Sequence, residues 1–590
     1  MSNDPADANP PRTGVPPYRV DRLVFAAGSR PSAPPLEIEV RSVTVLVGPH
    51  NSGKSTTLSE IEAYSRGGAL PGKVLAEVGM DFPRDPAGLE ALLRRFQRPQ
   101  FGRDQQELED RLRSLGVDPD RYFEVAHLDI KDLRGVVHRF DMDTFSGWLT
   151  NPDTNLRTLL GIAYTLRLDG RTRFQFVEPQ PTGDLREAPG NHLWYLATND
   201  GARDRVRAIT AEALGRHFVL DATAMQHFRI RLSERPPKSR EEELGLGRAA
   251  LDFHARAPEI RDFGDGVQAF VGIISAAVGL PATVLLVDEP EAFLAPSLAR
   301  AAGRALARVA HERGGSLIAA THSAEFLTGC LEVVPESTVV RLARDGGISV
   351  ARTVNAVKVS AMMRDPLLRS AGVPQALFHP VAVVTEAAGD RAFYEEVNRR
   401  LTDVGRGLKD ALFLSGQSLQ IIRRSVAPLR QFGVPAAAIV DLDVLAESET
   451  NWARLLDACH VDADQRADLQ RARQELVVAL DGTSPRSDGT PAIKNGGIQL
   501  LPPDAQAQAR WLLDELAGYG LFVVPSGELE SWLPHLEIRG PKSTWVDQVF
   551  GHIGQSEGDP NYVAASKGDI WGFLDDVAHW AADPRRRGLD

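Results

Sequence analysis

Apolar residues in this chain come in short unbroken runs, many closed by a polar or glycine-rich turn and followed by a helical pattern. Strand-like openings at Tyr18–Ala26 and Leu36–Val40 lead to the run Val43–Val47, a glycine-rich turn and a helix from about Gly53. Between 266 and 328 the pattern is helix, strand, helix, strand, helix, with TVLLVDE and SLIAAT as the strands. A second alternation begins at Val381, with strands near 381–385, 411–415, 436–441 and 519–524 and a mostly helical insertion at 444–517. Runs of this length, alternating with helices, predict an α/β fold with parallel sheets, whose ligands sit at the carboxyl ends of the strands. Other segments read differently. Residues 83–135 are charge-mixed and helical in pattern, 163–178 alternate around Asp169-Gly170 as a hairpin would, and 235–245 (RPPKSREEELG) reads as an exposed connector. Residues 1–17 are polar and proline-rich, and are expected to be a disordered leader.

At 590 residues the chain exceeds one hydrophobic core, and about two to four domains are expected. Apolar content of 43% with 25% charged residues is that of a globular protein, and no run approaches the ~18 apolar residues that span a bilayer, so no membrane partner is expected. Lys and Arg number 67 against 79 Asp and Glu, a formal net charge of −12, so no chain-wide basic footprint for nucleic acid exists, although a local groove can still be positive. Cys330 and Cys459 have no metal-site spacing and form no disulfide framework, which fits a reducing, cytoplasmic compartment.

Two constellations carry chemistry. The first is VLVGPHNSGKSTTL, in which Gly48 and Gly53 bracket a loop that can turn its N–H groups on phosphates, with Asn51 inside it. Lys54 would reach the β- and γ-phosphates, and Ser55, followed by Thr56, would place a hydroxyl on Mg²⁺. The partner strand ends in Asp288-Glu289, one carboxylate to hold Mg²⁺ and the next to polarise the attacking water. The strand after it ends in Thr321-His322-Ser323, and His322 stands where a γ-phosphate sensor is needed. Glu289 and His322 are therefore the catalytic candidates, with Gly48, Asn51, Gly53, Lys54, Ser55, Thr56 and Asp288 as nucleotide ligands.

The second constellation is acidic. PVAVVTEAAGD ends a strand in Glu386 and reaches Asp390 about one helical turn later, and AAAIVDLDVL delivers Asp441 and Asp443, two residues apart on one strand face. Such carboxylates at neighbouring strand ends repel unless cations neutralise them, and Mg²⁺ or Mn²⁺, one ion or two, are the natural occupants. Each pair also has a plainer explanation, since acidic residues favour helix starts and Asp-x-Asp follows many α/β strands.

In the order GPHNSGKS, LLVDEPEAFLAP, ATHS, the first half resembles ABC-type ATPases of the SMC, RecF and OLD kind. The resemblance implies a signature loop at DFGDGVQAF, residues 262–270, where Gly264 replaces the usual serine, a departure that bears on dimer-dependent hydrolysis. The second half is similar to the TOPRIM domain of topoisomerases, primases and OLD nucleases, with Ala387 in place of the usual glycine. The OLD pattern further implies an acidic ligand in FVVPSGELESWL, for which Glu530 is chosen over Glu528, and a late lysine, Lys567.

An ATPase at 18–375, with a largely helical insertion about 80–160 and a dimerisation region before 250, followed by TOPRIM at 380–590, resembles the OLD (overcoming lysogenization defect) family. That implies an ATP-gated DNA endonuclease or nickase in bacterial antiphage defence, a homodimer or higher homo-oligomer, with a UvrD-like helicase as partner if Gabija-type. The alternative is an SMC- or RecF-like scaffold or signalling ATPase whose TOPRIM domain cuts nothing. A topoisomerase would need a catalytic tyrosine in a suitable segment, a primase would not need the ATPase, and a transporter motor leaves the acidic domain unexplained.

Overall fold

The computed structural model describes residues 18–83, 127–131, 137–141, 152–183, 190–483, 493–494, 496–538 and 542–589. The leader 1–17 and most of the region 80–160 lie outside them; within that region the described pieces are an antiparallel strand pair, His127–Lys131 with Val137–Asp141, and the helix Pro152–Tyr164. The chain divides into two compact units, Met1–Val47 with Asn51–Ala356, and Gly48–His50 with Val357–Asp590.

The first unit is built on six strands: β1 (Val43–Val47), β2 (Thr165–Leu168), β3 (Val284–Asp288), β4 (Ser316–Ala320), β5 (Thr338–Asp345) and β6 (Ile348–Val354). They lie in the order β6-β5-β1-β4-β3-β2, all pairings parallel except the β5–β6 hairpin. Strands β1 and β4 are buried at every position, which is why they read as unbroken apolar runs rather than alternating ones: both faces are covered. Their helices include Lys54–Ser65, Asp265–Gly279, Pro296–Glu312 and Ala324–Val333. A small antiparallel sheet, Arg19–Phe25 between Leu36–Glu39 and Leu75–Asp81, shares one core with β1, β3 and β4 through Tyr18, Leu23, Leu46, Leu58, Leu286 and Ile318.

Two expectations fail here for local reasons. Asp169-Gly170 makes no hairpin, because the Asp169 carboxylate accepts the N–H groups of Arg171 and Thr172 (both 2.8 Å) and starts the short helix Thr172–Gln175 instead. Strand β2 is thereby free to pair parallel with β3. The connector at 235–245 is also more than exposed chain. It forms the helix Arg240–Leu244, capped by Ser239, and buries Glu243 against Arg203 and Arg207 at 2.9 and 2.7 Å.

The second unit holds four parallel strands, β7 (Ala382–Thr385), β8 (Leu412–Ser415), β9 (Ala436–Val440) and β10 (Leu521–Val523), ordered β8-β7-β9-β10. Between β9 and β10 run the helices Glu449–Ala458, Arg466–Asp481 and Pro503–Gly518, as the pattern predicts. After β10, the helices Lys542–His552 and Asp569–Ala582 close an aromatic core of Phe393, Phe522, Trp532, Trp545, Trp571 and Trp580. Among the described residues no helix is long and apolar enough to cross a membrane.

Helix Pro152–Tyr164 crosses the P-loop helix so closely that a Cβ placed on Gly161 would lie 1.9 Å from the Ser65 carbonyl oxygen. Alanine would gain about 0.5–1 kcal/mol of helix propensity, but a clash with main chain costs about 1–3 kcal/mol, and the clash should win. Gly161→Ala is expected to shift the urea midpoint of this unit downward with an unchanged slope; a rise in midpoint would show that the helices do not cross this closely.

Candidate functional site

The P-loop owes its shape to three left-handed positions, Gly48 (φ 135°), Asn51 (φ 59°) and Gly53 (φ 106°), the last capping the helix Lys54–Ser65. Lys54 is buried, and its ammonium donates to the Ser52 hydroxyl at 3.4 Å. Burial lowers its pKa to about 8 even though Glu289, Asp288 and Glu291 favour the charged form. Ser55, one residue on, donates its hydroxyl to the Asp288 carboxylate at 2.9 Å, so the two side chains read as Mg²⁺ ligands meet at the carboxyl end of the sheet. Thr56 follows on the same helix, half-buried.

Beyond Asp288 the chain is held by a residue that the motif analysis does not contain. Arg173, fully buried, donates to five main-chain oxygens, those of Asp169, Asp288, Glu289, Pro290 and Ala292, at 2.8–3.3 Å. This clamp, with the Glu289 N–H bonded to the Ala320 carbonyl at 2.9 Å, sustains Glu289 at φ 46°, a conformation that costs a non-glycine residue about 1–3 kcal/mol.

Two further residues complete the group. Arg167 on β2 donates to the second oxygen of Asp288 and to the Ser59 hydroxyl, each at 2.9 Å. Glu291 accepts the Thr321 hydroxyl at 2.7 Å and the His322 N–H at 2.5 Å, which ties the end of β4 to the loop after β3. Burial pushes the Glu291 carboxyl upward, and the bonds from His322 and Thr321 oppose it. Glu291 is legible only as the third acid of DEPEAF; nothing in the pattern singles out Arg167 or Arg173. The signature position, Gly264, caps the helix Asp265–Gly279 at φ −63°, and a Cβ there would meet nothing within 4 Å. A serine would fit, so its absence is not a demand of packing.

In the second unit the candidate acids follow β7 and β9. Glu386 follows β7 and accepts the N–H of Asp441, which follows β9, at 3.0 Å. Asp390, buried in the first turn of helix Ala388–Asp403, accepts the Ala387 N–H at 3.0 Å. Tyr394, one turn on, lies within range of all three: burial chiefly, then the charges of Asp441, Asp390 and Glu386, hold its hydroxyl well above the usual phenol range, against a hydrogen bond from the Trp532 indole.

Asp443 does not join this trio. It lies across from Glu528, and the Lys494 ammonium sits between them, 3.3 Å from the Asp443 carboxylate and 2.9 Å from that of Glu528. Glu530 is half-buried on the single turn Leu529–Ser531. Lys567 is exposed on the turn before helix Asp569–Ala582, outside the hydrogen-bonded group. Among the described residues no three His, Cys, Asp or Glu side chains stand in the arrangement that holds a metal ion. The donor set fits one all the same: Glu386 and Asp441 after adjacent strands and Asp390 in the helix that follows the first are hard oxygen ligands, the chemistry that Mg²⁺ and Mn²⁺ prefer.

Residues 139–328, less than half of the chain, match the family model described as "AAA domain, putative AbiEii toxin, Type IV TA system". Solved structures similar to the chain include the SMC head domain from Thermotoga maritima, 13% identical over 57% of this chain and 99% of that one, at a TM-score of 0.26. An Smc head bound to the C-terminal winged-helix domain of ScpA gives 13%, 57%, 97% and 0.29. An Smc head with extended coiled coil from Pyrococcus furiosus gives 12%, 59%, 100% and 0.29. Likenesses at these TM-scores carry no argument. No curated protein matches the chain. The P-loop, the Ser55–Asp288 pair at the end of β3 and the family match define an ATPase domain of ABC/AAA type, and such a domain takes a nucleotide.

Two outcomes follow from this geometry. In the nucleotide-free protein burial lowers the Lys54 pKa to about 8, and phosphates bind its charged form. Nucleotide affinity should therefore be full below pH 8 and weaken about tenfold per unit above it, and Lys54→Arg should remove this dependence; a flat profile from pH 7 to 9.5 in a fluorescent-nucleotide titration would contradict it. Glu291→Ala should lower ATP turnover more than about tenfold while nucleotide affinity stays within about threefold, because it releases His322 and not the P-loop. Equal losses in both would mean that Glu291 supports the fold alone.

Proposed function

We propose that this chain is a nucleotide-gated, divalent-metal-dependent DNA endonuclease or nickase of the OLD kind, acting in bacterial antiphage defence. The observation that carries the reading is the Asp441 N–H bonded to Glu386 across the ends of β9 and β7, with Asp390 one helical turn on and all three charges acting on Tyr394, in one chain with an ATPase domain. The resemblance of VVTEAAGD and IVDLD to TOPRIM elements supports the same conclusion.

In this reading Glu386, Asp390 and Asp441 hold a divalent ion, with Asp443 and either Glu528 or Glu530 at the outer side. Such an ion activates water and stabilises charge on a phosphodiester. Asp441, anchored through its N–H to Glu386, keeps the ligand group in register. Lys567, exposed on the turn before helix Asp569–Ala582, offers a point charge to a scissile phosphate. ATP at Lys54 and Ser55, hydrolysed with Glu289 and His322, sets the state of the ATPase, and dimerisation through that domain accords with the resemblance.

A second reading, an ATPase scaffold or signalling protein that cuts nothing, draws on the absence among the described residues of three acids or histidines already in coordinating arrangement. The two separate on supercoiled plasmid with Mg²⁺ or Mn²⁺, with and without ATP. The nuclease reading expects metal-dependent nicking or linearisation that falls at least about a hundredfold in Asp441→Ala and changes with ATP in the parent but not in Lys54→Ala. Cleavage that survives Asp441→Ala, or none with any metal, favours the scaffold.

A further inference from the structure

Charge in the second unit is partly balanced by the protein itself. Besides the Glu386, Asp390 and Asp441 trio, a second pair of carboxylates, Asp443 and Glu528, faces the same sheet end, and the Lys494 ammonium stands between them at 3.3 and 2.9 Å. An ammonium at these distances takes the space in which an ion shared by both carboxylates would sit, since Mg²⁺ binds oxygen at about 2.0–2.1 Å and draws its ligands closer together than a lysine does.

Lys494 is not there by the chance of a long side chain on a loose loop. The segment after it is stitched to the turn that precedes Glu528: the Gly496 N–H donates to the Ser526 carbonyl and the Ile498 N–H to the Pro525 carbonyl, both at 3.0 Å. Between them Gly497 sits at φ 50°, where a Cβ would be 2.2 Å from the Pro525 oxygen, so the two strands of chain touch backbone to backbone. The Leu442 N–H, between Asp441 and Asp443, donates to the Gly527 carbonyl of that same turn at 2.8 Å. Three segments, carrying Lys494, Asp443 and Glu528, are thus locked to residues 525–527.

From this we infer that Lys494 is a built-in cation that fills the second cation position, so that the unit takes a single divalent ion, at Glu386, Asp390 and Asp441. The inference rests on the metal-site reading above and specifies its stoichiometry. Lys494 is a positioning residue: it holds Asp443 and Glu528 apart and neutralises them, leaving the inner trio to the ion.

Counting bound Mn²⁺ on the full-length, nucleotide-free protein by electron paramagnetic resonance tests it. The parent should bind one ion per chain, Lys494→Ala two, and Lys494→Arg one, with the first affinity unchanged within about threefold among them and lost in Asp441→Ala. Thermal melting of each variant checks that the fold is kept, as expected for a half-exposed side chain. Two ions in both the parent and Lys494→Ala, or one in both, overturn the inference and leave the metal site standing. No bound Mn²⁺ in any of the proteins overturns the metal-site reading and the inference together.

Discussion

Carboxylates crowded at the carboxyl ends of parallel strands repel one another, and both units are organised around that repulsion. Two like charges 4 Å apart oppose each other by about 4 kcal/mol at the effective dielectric of a protein surface, comparable to a sizeable part of a domain's stability. Each cluster is therefore accompanied by a cation that the chain supplies. In the first unit Arg167 rests on Asp288 and Lys54 lies near Asp288, Glu289 and Glu291. In the second, Lys494 rests between Asp443 and Glu528. Asp288 beside Ser55, and the trio Glu386, Asp390 and Asp441, are where an external cation has most to gain.

The scaffolds under the two clusters differ in how they resist that repulsion. Around Asp288 the holding force is main-chain: Arg173 gathers the carbonyls of residues 288–290 and 292, and a strained Glu289 is the consequence. Around Asp441 it is a hydrogen bond from one acidic residue's amide to another's carboxylate, with an aromatic floor of Tyr394 and Trp532 below. Burial chiefly, with the charges of Asp441, Asp390 and Glu386 added to it, holds the Tyr394 hydroxyl above the usual phenol range.

Much of this was legible from residue order alone, because strands buried on both faces leave apolar runs that end in the residues they present. Val43–Val47, Val284–Val287 and Ala436–Val440 are such runs, and the P-loop, Asp288 and Asp441 follow directly. The illegible parts share a cause, which is that a side chain's partner can be far away in sequence. Asp169-Gly170 carries a hairpin signal, but the Asp169 carboxylate accepts the Arg171 and Thr172 N–H groups at the turn into a helix. Arg167 and Arg173 look like ordinary charges until β2 pairs with β3 and sets one on Asp288 and the other under the loop after it. Lys494 sits in a glycine-flanked stretch with no strand or helix signal, and only the contact of Gly497 with Pro525 carries it to the acids. The choice between Glu528 and Glu530 was likewise beyond the pattern, and of the two it is Glu528 that meets Asp443 through a shared cation.

The most direct measurement is anomalous diffraction from crystals of the full chain grown with Mn²⁺ and no nucleotide. A single peak bounded by Glu386, Asp390 and Asp441, with the Lys494 ammonium still between Asp443 and Glu528, is the predicted result. An empty trio at saturating Mn²⁺ would contradict the view that these carboxylates are gathered to hold an ion.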